Sequence, residues 1–135
     1  MKTNIFINLP VKDLEKSKKF FGTLGYQFNP QFTNDKAACM VIEENIYAML
    51  VTEPFFKQLT KRDVVDNSKG VETATCLSME SRAKVDEWVS KALAAGATEN
   101  IVPEMSVGET MYGKSINDLD GHIWEGMWMD PKMVQ

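Results

Sequence analysis

Apolar and polar residues alternate over positions 3–9, with Ile5, Ile7 and Leu9 on one side and Asn4, Phe6 and Asn8 on the other. This period of two predicts a strand with one buried face, and Pro10 closes it. Asp13 stands at the N-cap position of a predicted helix over residues 14–24. The helix gathers Leu14, Ser17, Phe20, Phe21 and Leu24 on one stripe and lysines on the other. Gly25 follows, where a left-handed cap is common. Three short strands are predicted next, over 27–33, 37–42 and 46–52. The turn residues Asn34-Asp35 and Glu43-Glu44-Asn45 separate them.

Residues 53–70 break the pattern. A short helix is predicted at 54–59, and the run KRDVVDNSKG at 61–70 is polar with no apolar period. It reads as a solvated linker between halves, with a mobile lid as the alternative. The order then recurs. A strand is predicted at 71–79, and Ser81 caps a helix running through Ala95. In that helix Val85, Trp88, Val89, Ala92 and Leu93 follow i, i+3, i+4, i+7, i+8 spacing. Gly96 stops it, and strands are predicted at 98–102, 112–117 and 122–129, with an undetermined loop at 103–109. Leu9, Val11 and Phe20 recur as Leu77, Met79 and Trp88 at a constant shift of 68, while Gly25 recurs as Gly96 at 71. Two related supersecondary units follow from this, one over 3–52 and one over 71–130.

Composition narrows the class. The 135 residues suit a single domain over 1–135. The apolar share of 44% and charged share of 25% are those of a soluble globular chain. A formal net charge of -4 argues against nucleic acid as a partner. Cys39 and Cys76 lie in apolar runs and make no disulfide framework, which points to reduced thiols and a cytoplasmic protein. No run approaches the ~20 apolar residues that span a bilayer, and no secretory leader is visible.

The segment FINLPVKDLEKSKKFFGTLGY resembles the opening of the glyoxalase/bleomycin-resistance/dioxygenase family, part of the vicinal oxygen chelate superfamily. The residues that carry the likeness are Val11, Asp13, Leu14, Ser17, Phe20, Phe21, Leu24, Gly25 and Tyr26. Near the other end, DLDGHIWEGMWMDP resembles the family's closing motif through Asp118, Asp120, Gly121, His122 and Glu125. The resemblance implies an α+β fold of two βαβββ modules. Their curved mixed sheets would enclose a shared cleft, with helices on the convex side. In the family's metal enzymes one divalent ion sits in that cleft and polarises vicinal oxygens of the substrate. Its ligands come from the first strand of each module and from late strands.

Carried over by register, those ligand positions fall on Phe6, Leu50 (to within one residue), Ala74 and Glu125. Phe, Leu and Ala have no lone pairs to offer, so no family-type metal and no other cofactor is expected. Asn8 and Cys76 share faces with Phe6 and Ala74; they either complete an unusual metal site with Glu125 or, the preferred reading, simply line the cleft. His122, the only histidine, falls on the face opposite Glu125 and reads as a turn or packing residue. Glu125 is either a general base working without metal or a relic carboxylate satisfied by hydrogen bonds; Glu53 is the other candidate base. The expected lining is Phe6, Asn8, Leu50 or Met49, Ala74, Cys76, Ser78, Glu125 and Met127, with the Tyr112 hydroxyl reaching inward. Nine methionines are core filler or an adaptable ligand surface.

A small, partly apolar ligand suits an apolar cleft with few polar groups. The expected function is therefore metal-free binding of such a molecule, as in bleomycin-resistance proteins. The alternative is a metal-dependent lyase resembling lactoylglutathione lyase (glyoxalase I), with nickel, zinc, manganese or iron. A dioxygenase is disfavoured, because its iron site needs two histidines. A homodimer is expected, without membrane or nucleic-acid partners. In the tail at 127–134, Trp128 and Met129 pack across the two-fold or fold back onto the second helix.

Overall fold

The computed structural model describes residues 1–133, which fall into two compact units, 1–66 and 67–133, taken separately below.

In the first unit β1 (Ile5–Val11) leads to α1 (Leu14–Thr23), then β2 (Gln27–Asn29), β3 (Ala37–Glu43), β4 (Ile46–Thr52) and α2 (Glu53–Thr60). The sheet order is β1-β4-β3-β2, with β1 and β4 parallel and the other pairs antiparallel. The strand expected over 27–33 stops at Asn29. Pro30 has no N–H for the ladder, and a 3-10 turn at Pro30–Phe32 replaces it, with the Asn29 side chain accepting from the Gln31 N–H at 2.9 Å. Asp13 caps α1 as expected, its carboxylate accepting from the Lys16 N–H at 3.1 Å. Leu9 and Val11 on β1, Met40 on β3 and Ala48 and Leu50 on β4 are buried with Leu14, Phe20 and Phe21 of α1. Leu9 pairs with Leu50, and Leu50 with Ala38, so these three share one row on the core face.

In the second unit β5 (Ala74–Ser78) leads to α3 (Arg82–Ala94), β6 (Thr98–Asn100), β7 (Met111–Asn117) and β8 (Ile123–Met129). The order β5-β8-β7-β6, with β5 and β8 parallel, repeats that of the first sheet. Ser81 caps α3 by accepting from the Lys84 N–H at 3.1 Å. Asp13 and Ser81 are themselves 68 residues apart, so the shift found in the apolar residues extends to the caps. Val85, Trp88, Val89 and Ala92 of α3 are buried, as are Ile116 and Trp124 of the sheet. Gly126 makes room for the helix: a Cβ there would lie 3.0 Å from Trp88 Cε3.

The architecture is the expected one: α+β, two four-stranded mixed sheets built in the same order, with the helices α1, α2 and α3. Residues 61–70 hold no helix or strand. Among the described residues no helix is long and apolar enough to cross a membrane.

Candidate ligand-binding face

Strand alternation divides each sheet into a helix-packed face and an opposite face. On the opposite face of the second sheet, Cys76 pairs with Glu125 and Glu125 with Ser115, which in turn pairs with Asn100. One row across all four strands therefore reads Cys76, Glu125, Ser115, Asn100. The next row reads Ala74, Ile123, Asn117, Thr98. Of the residues expected to line a site, Ala74, Cys76, Ser78, Glu125 and Met127 come together on this face.

Its centre is more polar than the expected apolar cleft with few polar groups. Asn100 Nδ2 donates to Ser115 Oγ at 3.2 Å and to Asn117 Oδ1 at 3.1 Å. Asn117 Nδ2 returns a bond to Asn100 Oδ1 at 2.8 Å and donates to Thr98 Oγ1 at 3.0 Å. This lattice fixes the amides' orientation and holds the Ser115 side chain, which is 2% exposed. Beside it Glu125 is half-buried and has no hydrogen-bond or ion-pair partner among the described residues. Burial, and secondarily the charge of Glu125, push the exposed Cys76 thiol above its ordinary pKa. An open depression of about 810 Å3 covers this region and is lined by Glu125, Ser115, Asn100 and Ala74, among others. Met127 marks the apolar end of the face, its methyl beside Gly113, where a Cβ would meet it at 3.1 Å and Met105 Cε at 3.0 Å.

On the corresponding face of the first sheet, Phe6 stacks on Tyr47 with ring centroids 4.8 Å apart and planes at 11°. Asn8 pairs with Met49. Phe6 and Asn8 are both exposed.

Two expected site residues are corrected. Leu50 is fully buried on the core face beside Leu9, and the position facing away from the core is that of Met49. Met49 is also the topological counterpart of Glu125, since Asn8 pairs with Met49 as Cys76 pairs with Glu125. Tyr112 does not reach inward. Alternation along β7 puts Gly113, Ser115 and Asn117 on the Glu125 face, and the Tyr112 hydroxyl instead donates to Asp86 of α3. Sequence reasoning passed over Asn100, Ser115 and Asn117, although the alternation of Gly113, Ser115 and Asn117 with Tyr112, Lys114 and Ile116 was readable.

His122 sits in the turn before β8, its Nδ1 3.3 Å from Asn67 Nδ2. Glu53 begins α2. Trp128 lies over Arg82 of α3, the guanidinium 5.3 Å from its ring centroid, so it folds back onto the second unit's own helix. The tail residue Val134 lies outside the described residues.

A hard divalent ion requires several oxygen or nitrogen donors converging on one point. The positions corresponding to the family's ligands carry Phe6, Met49, Ala74 and Glu125, of which Glu125 alone offers such a donor. Among the described residues no three His, Cys, Asp or Glu side chains gather into a group able to hold a metal. The donor set does not fit the family's ion.

Solved structures share this fold. A hypothetical protein from S. aureus is 29% identical, with a TM-score of 0.77 and 95% of each chain covered. A glyoxalase/bleomycin resistance protein/dioxygenase family enzyme from Burkholderia phytofirmans PsJN reaches the same TM-score of 0.77 at 14% identity, covering 92% of this chain and 96% of its own. A genomically encoded fosfomycin resistance protein, FosX, from Listeria monocytogenes gives 0.67 at 18% identity, covering 95% of this chain and 91% of its own. Residues 3–43 match the family described as bleomycin resistance protein-like N-terminal. No curated protein sequence gives a significant match. The chain thus has the fold of these glyoxalase/bleomycin-resistance proteins, and the match over residues 3–43 together with that fold supports the vicinal oxygen chelate superfamily.

Proposed function

We propose that the protein binds a small, partly apolar molecule on the opposite face of its second sheet, with Glu125 as the polar anchor and without a family-type metal. The observation that carries this reading is the half-buried, unpartnered Glu125 beside a fixed amide and hydroxyl lattice, within a depression of ligand size. Such a surface offers convergent polar groups at its centre and apolar margins at Ile123 and Met127. By its resemblance the protein acts in the cytoplasm as a homodimer; the free thiols of Cys39 and Cys76 suit a reducing compartment.

The test is metal content and ligand response together. Protein purified without chelator should carry far less than one equivalent of nickel, zinc, manganese or iron. Isomerisation of the methylglyoxal–glutathione adduct should stay at background when these ions are added. A small-molecule screen by melting temperature should return stabilising ligands that lose their effect on Glu125→Gln. One equivalent of metal, released by that substitution, would overturn the metal-free reading in favour of a glyoxalase-type lyase. Sedimentation velocity tests the dimer.

A further inference from the structure

We infer that Ile101 and Val102 form an apolar lip that receives the apolar part of the ligand, and that they set its size. This deepens the proposed function and rests on it. The repeat within the chain singles these two residues out. In the first unit β2 ends at Asn29, a 3-10 turn follows at once over Pro30–Phe32, and Thr33 Oγ1 then accepts the Cys39 N–H at 3.0 Å. The second unit repeats the device. There β6 ends at Asn100, a 3-10 turn spans Pro103–Met105, and Ser106 Oγ accepts the Gly113 N–H at 3.2 Å. The backbones of the two hydroxyl residues nearly coincide: φ is -124° at Thr33 and -115° at Ser106, and ψ is 127° at both. Yet the units are offset by 71 residues at Asn29 and Asn100, and by 73 at Pro30 and Pro103. The difference is an insertion of two residues, Ile101 and Val102.

The insertion reshapes the ligand face. In the first unit the hydroxyl anchors the turn at Cys39, the cross-strand partner of Asn29 and of Met49, which is the counterpart of Glu125. In the second unit the anchor is Gly113, which pairs with Met127, whereas Asn100 and Glu125 pair with Ser115. The turn is thus fastened one row away from Glu125, and the inserted pair bridges the gap. Ile101 is 82% exposed and Val102 40%, and both line the depression together with Ser115 and Glu125. A single exposed apolar side chain is ordinary. Here two adjacent ones are added where the first unit closes the same turn without them, so the turn itself does not require them. At the rim of a depression with a polar centre, they suit a ligand whose apolar body lies against the rim while its polar group meets Glu125 and the amide lattice.

Benzyl alcohol, 2-phenylethanol and 3-phenyl-1-propanol test this, since they share a hydroxyl and differ only in apolar length. Backbone amide shifts of the 15N-labelled protein report where each binds and how tightly. In wild type the shifts should centre on Ile101, Val102, Ser115 and Glu125, with affinity rising about fourfold per added methylene. The double variant Ile101→Ser with Val102→Thr should keep the wild-type melting temperature, because both side chains are largely in water. It should bind 3-phenyl-1-propanol about tenfold more weakly and flatten the dependence on length. If the variant keeps the wild-type affinities and length dependence, the lip is overturned and the binding face stands. A marked fall in melting temperature would show that the pair serves the fold, which overturns it as well. If none of the three alcohols perturbs Cys76, Ser115 or Glu125 in wild type, both the lip and the proposed binding face fall.

Discussion

Asp118 and Trp124 are joined inside the second unit, the carboxylate Oδ2 accepting from the indole Nε1 at 2.9 Å with both side chains buried. The other oxygen accepts from the backbone N–H groups of Asp120 at 2.9 Å and His122 at 3.0 Å. One carboxylate thus ties the turn to the strand it feeds, which is a structural task for the Asp118 end of the closing motif. Burial pushes the Asp118 carboxyl above its ordinary pKa, against the opposing pull of His122, the indole and the two amides. A folded pKa raised in this way adds stability below the unfolded value, and that contribution is lost as pH rises through the folded one. In Asp118→Asn the new Nδ2 faces the indole donor to donor, which should cost about 1–3 kcal/mol. Denaturant melts across acid to neutral pH should show the gap between wild type and variant narrowing as pH rises. A gap that ignores pH would sink this account of Asp118.

Gly126 makes a packing prediction. Its would-be Cβ lies 3.0 Å from Trp88 Cε3 and 3.2 Å from Met79 Cε, and Trp88 is itself 7% exposed. Gly126→Ala should therefore cost about 1–3 kcal/mol through overpacking. Trimming the indole should relieve part of that. The double variant Gly126→Ala with Trp88→Phe should lose less stability than the two single losses added. Strict additivity in urea denaturation would mean that the glycine serves some other purpose.

Much of this fold was legible because its two units repeat the same local rules. The caps Asp13 and Ser81, the alternation in β1 and the apolar stripe of α3 are decided by near neighbours in sequence. What failed needed knowledge of strand register. The late-strand position was expected at Leu50 to within one residue, and that one residue decides the face, because a one-residue slip carries a side chain to the other side of a sheet. Tyr112 was misplaced for the same reason, since its hydroxyl drew attention while its parity with Lys114 and Ile116 did not. The amide lattice of Asn100 and Asn117 was hidden differently. The two residues stand 17 apart, and only the pairing of β6 with β7 brings them together.

Tyr112 supplies a control for the site. Its hydroxyl, chiefly, together with Lys114, holds the Asp86 carboxyl below its ordinary pKa. Lys114 Nζ lies 3.1 Å from the Asp86 carboxylate. A depressed carboxylate contributes stability above its unfolded pKa and loses it as pH falls through the folded value. Tyr112→Phe should raise the Asp86 pKa in an NMR titration. Because Asp86 is half exposed, the cost in stability near neutral pH should stay below about 1 kcal/mol. Ligand affinity should not change, since Tyr112 lies on the helix-packed side. A large loss of binding would return Tyr112 to the site.

Cys76 reports on Glu125 directly. The two are cross-strand partners on the ligand face, and both burial and the Glu125 charge raise the Cys76 thiol. Thiolate is the reactive form, so alkylation by iodoacetamide at neutral pH should be slower than for a free cysteine. Cys39 is buried and should not compete. Glu125→Gln removes the charge while keeping the shape, so it should speed modification of Cys76 and move its pH–rate profile to lower pH. Burial remains, which means the profile should still lie above that of a free thiol. A ligand seated over Glu125 should protect Cys76 in wild type. If the rate in the variant matches wild type at every pH, Glu125 does not face Cys76, and the row on which the proposed site is built would have to be redrawn.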